Sequence, residues 1–387
     1  MRTIAVFTAT RAEYGLLRPL LLCLREGRQC RLQLIVSGTH LSHAHGYTLT
    51  EIRSDGFEPD VMVPLNFSKD SPEHLCGALG TMIAETGAAL TRLQPDLLVL
   101  LGDRYECLGA ATAAAMMQVP VAHIHGGEIT RGAMDDNFRH AVTKLAHLHF
   151  TSCEQYRQRV IQLGEQPQCV WNVGALGVEN ALSLPLLDEA SVREYLRLEA
   201  GRPYFLCTFH PVTLEPGQEE TQWLEVQQAL ERYVDHAVIV TGANADPGGG
   251  LINRLLEEWS QQQPERVRLF TSLGVLRYLS AAKYAACVVG NSSSGVVEIP
   301  SLGTPVVNIG DRQQGRIASS AVLHCPSQAG DIVTTMARAL TLQFREYARI
   351  TPNPYEKNGT SAAIAEILLT FPLESILKKV FYDIARY

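Results

Sequence analysis

The sequence predicts an α/β protein built from two Rossmann-like domains, each a parallel sheet covered by helices. Three observations carry that expectation. Short, near-continuous apolar runs alternate with longer segments of helical period from the first residues onward, the pattern of strands buried on both faces. The chain has 387 residues, more than one hydrophobic core organises. The alternation pauses once, in a Gly- and Pro-bearing stretch around 174–187, and then begins again.

In the first half, strands are expected at Thr3–Thr8, Leu32–Ser37, Asp60–Val63, Leu97–Leu101, Val119–His123, His147–Thr151 and Cys169–Val173. Helical periodicity fills the gaps at Leu16–Leu24, His74–Leu93, Arg104–Met117, Asp136–Leu145 and Gln155–Leu163. The second series has strands at Tyr204–Thr208, Ala237–Thr241, Val267–Phe270, Cys287–Val289 and Val306–Ile309. Its helices fall at Glu189–Leu196, Glu219–Arg232, Leu251–Gln261 and Val275–Ala282. The boundaries that follow are 1–173 for the first domain and 174–370 for the second, with a cleft between them. Residues 371–387 form a last helix, since Glu374–Tyr387 carries apolar residues at helical spacing and is placed to return and brace the first domain.

Composition narrows the function. A net charge of −7 leaves no basic footprint for nucleic acid or an anionic membrane, so an anionic ligand must be held by local geometry. The chain opens directly on a strand pattern, and no apolar run approaches a membrane span, so neither signal peptide nor transmembrane segment is expected. Nine scattered cysteines, never spaced Cys-x-x-Cys, point to reduced thiols in the cytoplasm, without a disulfide framework or zinc site.

In parallel sheets, ligands bind beyond the carboxyl ends of the strands, and the polar motifs fall there. Thr8-Ala-Thr-Arg-Ala-Glu-Tyr-Gly15 follows the first strand but matches neither Gly-x-Gly-x-x-Gly nor the P-loop pattern, which weakens dinucleotide and NTPase readings. Arg11 is either a phosphate ligand or a solvated loop residue. After the fourth strand, Gly102-Asp-Arg-Tyr-Glu106 offers Asp103 as a base, a hydroxyl anchor or a helix N-cap. His123-Ile-His-Gly-Gly-Glu128 and Asp135-Asp-Asn-Phe-Arg-His140 make the densest polar cluster. In an extended segment His123 and His125 point the same way, toward a ligand or, less favoured for want of further ligands, a metal. His147 and His149 read as a structural pair.

In the second half His210 ends a strand, where it serves proton transfer or is a bonded surface histidine. Gly242–Asp246 and Gly310–Arg316 add Asn244, Arg312 and Arg316 at neighbouring strand ends. Val288-Val-Gly-Asn-Ser-Ser-Ser-Gly-Val-Val-Glu298 reads as strand, turn and short helix. Its backbone N–H groups, hydroxyls and helix end suit phosphate, unless the serines merely cap their own helix. Glu298, about one and a half turns on, suits the hydroxyls of a ribose.

Taken in order, these segments resemble the hydrolysing UDP-N-acetylglucosamine 2-epimerases, in particular the branch that forms N-acetylmannosamine for sialic acid. The matching pieces are Thr10-Arg-Ala-Glu-Tyr-Gly, Leu101-Gly-Asp-Arg-Tyr-Glu, His123-Ile-His-Gly-Gly-Glu, Arg139-His-Ala-Val-Thr-Lys-Leu, Phe209-His-Pro, Gly290-Asn-Ser-Ser-Ser-Gly and Asn308-Ile-Gly-Asp-Arg-Gln. The resemblance implies the glycosyltransferase-B arrangement of two domains, with UDP held mainly by the second. It implies loss of the C2 proton as UDP leaves C1, a 2-acetamidoglucal intermediate, and addition of water. No metal and no cofactor is required, and the assembly expected is a homodimer or homotetramer.

Residue by residue, Asp103 matches an active-site aspartate, Asp135 the acid that opens the following helix, and His210 a histidine that helps the phosphate leave. Ser292 and Ser293 match phosphate ligands, Glu298 the ribose ligand, and Arg11 and Arg312 the cationic side. Many relatives have Glu where this chain has His125, so the acid–base role falls to His125, Glu128 or Asp135. His125 with Asp135 as its charged neighbour is the preferred assignment. Two other functions fit the same residues: the equivalent epimerase acting on UDP- or GDP-linked diacetylbacillosamine, and a retaining glycosyltransferase.

Overall fold

The structure, a computed structural model, describes residues 1–27, 29–43, 46–66, 71–131, 133–244 and 246–384. The chain divides into two units. One comprises Met1–Glu128, Asp135–Glu179 and Lys357–Tyr387, the other Ile129–Met134 and Asn180–Glu356.

In the first unit seven strands are connected by helices in strict alternation. They run β1 (Arg2–Thr8), α1 (Arg11–Glu26), β2 (Cys30–Ser37), α2 (Leu49–Ser54), β3 (Val61–Val63), α3 (Pro72–Leu93), β4 (Leu97–Leu101) and α4 (Tyr105–Met116). β5 (Val121–Ile124), α5 (Asp135–Leu145), β6 (Leu148–Thr151), α6 (Glu154–Gln162), β7 (Val170–Asn172) and α7 (Leu176–Ser183) complete the series. The sheet is parallel, in the order β3-β2-β1-β4-β5-β6-β7. Strand order reverses between β1 and β4, so the loops leaving those two strands open side by side, the usual ligand position in such sheets. Leu17, Leu20, Leu21 and Leu24, spaced at helical period, bury one face of α1 against Ile4 and Val6 of β1 and Leu34 and Val36 of β2. Each such leucine contributes about 1.5–3 kcal/mol.

The second unit repeats the plan with α8 (Glu189–Leu196), β8 (Tyr204–Thr208), α9 (Glu219–Glu231), β9 (Ala237–Thr241), α10 (Gly249–Gln262), β10 (Val267–Phe270) and α11 (Gly274–Tyr284). β11 (Cys287–Gly290), α12 (Ser293–Val297), β12 (Val306–Ile309), β13 (Val322–Cys325), α13 (Ala329–Ala339) and α14 (Leu342–Ile350) follow. This sheet is also parallel, ordered β10-β9-β8-β11-β12-β13, with its reversal between β8 and β11. Gly290 is required there: at φ +135°, an added Cβ would lie 2.0 Å from the Thr208 carbonyl oxygen. Any side chain would force β8 and β11 apart.

The two-sheet α/β class is the one expected, but three boundaries differ. The second unit begins at Asn180, inside α7, and not at 174. Residues 129–134 belong to the second unit although the chain on both sides belongs to the first. The third difference is α15 (Thr360–Thr370), expected in the second domain, which packs Ile364, Ala365 and Leu368 into the core under α1. Beyond it, no helix forms among residues 371–384. Pro372 lacks an N–H and Ser375 sits at φ +65°, and both break helical propagation. The segment runs along the first unit instead: Lys379 bonds Glu165 at 2.7 Å, and Tyr382 N–H donates to Gly164 at 2.8 Å. The last three residues of the expected helix lie outside the described residues. The strand β13 was not anticipated, because Val322-Leu-His-Cys325 is short and carries no distinguishing period.

Candidate functional site

In the first unit the polar residues collect at the carboxyl ends of β1, β4 and β5, and one buried cation organises most of them. Arg139, 1% exposed, rises from the second turn of α5. Its guanidinium donates to the Asp103 carboxylate, to Asp136 Oδ1 at 2.8 Å and to the Glu128 carbonyl at 2.9 Å. A planar guanidinium spreads its donors over separate nitrogens, so Nη1 serves Asp136 and the Glu128 carbonyl while Nη2 serves Asp103, a spread that the single Nζ of a lysine does not reproduce. Asp103 is therefore held by a charge, one residue before the N-cap of α4, which is Arg104. Glu128 is almost fully buried, with Oε1 accepting from Ser152 Oγ at 2.7 Å and lying 3.8 Å from His125 Nδ1. Asp135 opens α5 and is half-buried.

The two histidines of the His-Ile-His segment do not converge. β5 ends at Ile124, and His125 takes φ +67°, so the extended geometry that would align them is broken between the two. His123 turns inward, with Nε2 on the Gly102 carbonyl at 2.7 Å and Nδ1 on Thr143 Oγ1 at 3.1 Å. Burial pushes its pKa down to about 3, so it is a neutral brace between β4 and α5. His125 keeps a left-handed conformation, uncommon for a residue with a side chain, and such conformations gather at functional positions. Among the described residues, no group of three His, Cys, Asp or Glu side chains is arranged to hold a metal ion. Arg11 is the first residue of α1 and pairs with Glu51 of α2 through Nε at 2.9 Å. His149, expected as half of a structural pair with His147, bonds Glu165 at 3.0 Å, and His147 Nδ1 accepts from Val121 N–H at 3.2 Å.

In the second unit the loops after β8, β9, β11 and β12 lock together around Asn291, which is fully buried. Its Oδ1 accepts from His210 N–H and its Nδ2 donates to the His210 carbonyl, both at 2.7 Å. Its own carbonyl accepts from Arg312 at 3.3 Å and from the buried Gln313 at 3.0 Å. The imidazole of His210 is fixed as well: Nδ1 accepts from Asn244 N–H at 3.1 Å, which places the proton of the neutral ring on Nε2. Burial, with the nearby Arg312 cation, lowers its pKa to about 3, so the neutral form prevails near pH 7. Asn244 Nδ2 donates to Asp246 at 2.5 Å, and Asp246 lies 3.8 Å from Arg312. Ala245, within the Gly242–Asp246 motif, lies outside the described residues.

The serine turn departs from the expectation in its helix. α12 is five residues long, and Glu298 closes it where a longer helix was expected to carry it. Pro300 follows and cannot continue the hydrogen-bond ladder. Ser292 occupies the N-cap position, yet its side chain makes no capping hydrogen bond. Self-capping therefore does not explain the serines. Ser293 is exposed, Glu298 half-buried, and Arg316 half-buried in the turn after β12. Sequence reading underrated Arg139, Asn291, Asp246 and Ser152. An Arg or Asn that will be fully buried looks no different in sequence from a solvated one.

The sequence profile described as UDP-N-acetylglucosamine 2-epimerase matches residues 23–369. The chain belongs to the UDP-N-acetylglucosamine 2-epimerase family. Within reach of this family, it is 37% identical over 390 residues to the polysialic acid biosynthesis protein P7 of Escherichia coli, covering 99% of this chain and 98% of that protein. It is 34% identical over 384 residues to the hydrolysing GDP/UDP-N,N'-diacetylbacillosamine 2-epimerase of Campylobacter jejuni, covering 99% of both. Its fold matches that of the Neisseria meningitidis UDP-GlcNAc 2-epimerase bound to UDP-GlcNAc, with a TM-score of 0.77 at 17% identity over 95% of this chain and 100% of that one. The fold of two parallel-sheet α/β units is thereby the fold of that structure. No helix among the described residues is long and apolar enough to cross a membrane.

Proposed function

We propose that this epimerase-family chain is the hydrolysing enzyme that converts UDP-N-acetylglucosamine to N-acetylmannosamine and UDP. The observation that carries the reading is the fixed tautomer of His210. A departing diphosphate needs a proton or a positive charge on its bridging oxygen. A neutral imidazole held by Asn244 N–H, with its proton on Nε2, can supply a hydrogen bond there and, as negative charge raises its pKa, a proton. Ser292 and Ser293 take the diphosphate through hydroxyls and backbone N–H groups, Glu298 the ribose, and Arg312 and Arg316 the anionic charge, with Asn244 beside them. In the first unit Asp103, oriented by Arg139, and the His125–Glu128 pair supply the groups that move the C2 proton, with Asp135 a further acid at the start of α5. Elimination gives 2-acetamidoglucal and UDP; water then adds at C1 and a proton returns to the opposite face of C2.

A second donor has support of its own, because one of the relatives above acts on N,N'-diacetylbacillosamine. One experiment separates the possibilities: incubation with UDP-N-acetylglucosamine, and in parallel with UDP- and GDP-diacetylbacillosamine, in heavy water, with the product followed by NMR. Deuterium at C2 of free N-acetylmannosamine is expected. Turnover confined to a bacillosamine donor would replace the substrate, and product without deuterium at C2 would overturn the mechanism. UDP release that required an acceptor would point to a glycosyltransferase.

A further inference from the structure

Residues 129–134 belong to the second unit while the chain on both sides belongs to the first. Acids of the proposed chemistry stand at both ends of the run, Glu128 before it and Asp135 and Asp136 after it. One buried cation holds the two ends together. Arg139 Nη1 donates to the Glu128 carbonyl at 2.9 Å and to Asp136 Oδ1 at 2.8 Å, while Nη2 donates to Asp103. The Glu128 carbonyl is part of the peptide bond that joins 128 to 129. A shift of either end of the run therefore reaches Asp103 through one rigid, planar group.

The middle of the run is held by loops of the second unit. Ala133 N–H donates to the Thr130 carbonyl at 3.0 Å, which folds the run into a turn, and both residues are buried. Backbone N–H groups in such a turn need acceptors. Arg131 N–H finds the Gln314 carbonyl at 3.2 Å, and Met134 N–H finds Thr213 Oγ1 at 3.3 Å. Ile129 lies so close to Gly315 that a Cβ added there would come within 2.7 Å of Ile129 Cγ2. These are the loops that Asn291 locks. Gln314 follows Gln313, which donates to the Asn291 carbonyl, and Thr213 lies three residues beyond His210, whose N–H and carbonyl both bond the Asn291 side chain.

We propose that Thr213 is a positioning residue for the groups that move the C2 proton. By accepting the Met134 N–H, its hydroxyl holds the end of the 129–134 run; the run sets the places of Glu128 and Asp136, and through Arg139 that of Asp103. Thr213 acts through Met134 and Arg139 and not on the substrate. Arg131 is held by a backbone carbonyl, which every residue at 314 supplies, so the hydroxyl of Thr213 is the side-chain contact on which this tie depends. The catalytic half of the proposal rests on the epimerase reading; the tie itself does not.

The test uses the full chain and compares Thr213→Val, which keeps the shape and removes the acceptor, with Thr213→Ser, which restores it. Hydrogen–deuterium exchange without ligand, read segment by segment, is expected to quicken severalfold across 128–140 in Thr213→Val, the first turns of α5 included. Melting temperature should fall by no more than about 4 °C, and Thr213→Ser should return exchange to the wild-type rate. In turnover, kcat of Thr213→Val should fall about 5-fold, the size expected from losing one neutral hydrogen bond, with KM and UDP affinity nearly unchanged and activity restored in Thr213→Ser. Exchange that is unchanged, or that quickens at Met134 alone, overturns the tie. Quickened exchange with wild-type kcat overturns the positioning role, and so does a parallel loss of kcat and UDP affinity, which would make Thr213 a support of the nucleotide loops. A wild-type chain that turns over no nucleotide sugar faults the assigned reaction, and the exchange data then decide for or against the tie on their own.

Discussion

Asn291→Ala tests the idea that one buried amide holds His210 in place. The substitution removes two hydrogen bonds of 2.7 Å, one from the N–H and one to the carbonyl of His210, and leaves the backbone bonds of residue 291 intact. Each bond contributes about 1 kcal/mol net, and a buried donor or acceptor left unmade costs about 1–3 kcal/mol. His210 is partly exposed, so water recovers part of that penalty, and the total loss is roughly 2–4 kcal/mol. For a unit of this size, about 2–4 °C of melting temperature per kcal/mol converts this to a drop of roughly 5–15 °C. The freed loop shifts the imidazole, and misplacement by an ångström costs on the order of 100-fold in rate. Calorimetry and turnover with UDP-N-acetylglucosamine measure the two effects. An unchanged melting temperature would refute the role given to Asn291; a stability loss without a fall in kcat would separate it from His210.

Arg139→Lys keeps the charge but cannot serve Asp103, Asp136 and the Glu128 carbonyl together. A loss of about 2–3 kcal/mol is expected, below the range for breaking a fully buried pair because the two aspartates are 28% and 24% exposed, with kcat falling on the order of 10-fold or more; full activity would contradict the hub. Ser293→Ala should weaken UDP binding severalfold in calorimetry with the fold intact, and unchanged affinity would remove the phosphate assignment. Asp103→Asn should abolish proton exchange at C2 in heavy water without altering UDP affinity. Acid should destabilise the protein: burial depresses His40 and His147 to about 4 and His123 to about 3, and burial with Arg312 depresses His210 to about 3. Folded values below the unfolded one mean stability is full above about pH 6.5 and is lost as pH falls toward those values. Glu13, whose pKa burial raises to about 8, has the opposite slope and offsets only one of the four. A melting temperature that did not fall between about pH 7 and pH 4 would be inconsistent with buried neutral histidines.

Several elements were legible in the sequence for a physical reason. β8, β9, β10 and β12 lie where the apolar runs placed them. β8, β9 and β12 are buried along their length, which makes their sequences near-continuously apolar, while β10 is a half-buried edge strand that still reads as a short apolar run. α15 was assigned to the wrong unit because its apolar residues declare burial without naming the surface that buries them. The boundary error at residues 129–134 has the same origin: they are contiguous in sequence with the first unit, and contacts such as Arg131 N–H to the Gln314 carbonyl, at 3.2 Å, place them in the second.

The serines, Asp103 and His210 stood out because strand ends are visible as breaks in apolar runs, and strand ends are where ligands bind in parallel sheets. The sequence by itself determined the two parallel-sheet units, the family, and which loops carry the polar residues. Tertiary structure alone decided that His123 braces while His125 is set apart, and that Arg139 and Asn291 are hubs. Those outcomes depend on one backbone angle at His125 and on which distant side chains share a low-dielectric interior, and neither is encoded in any local run of residues.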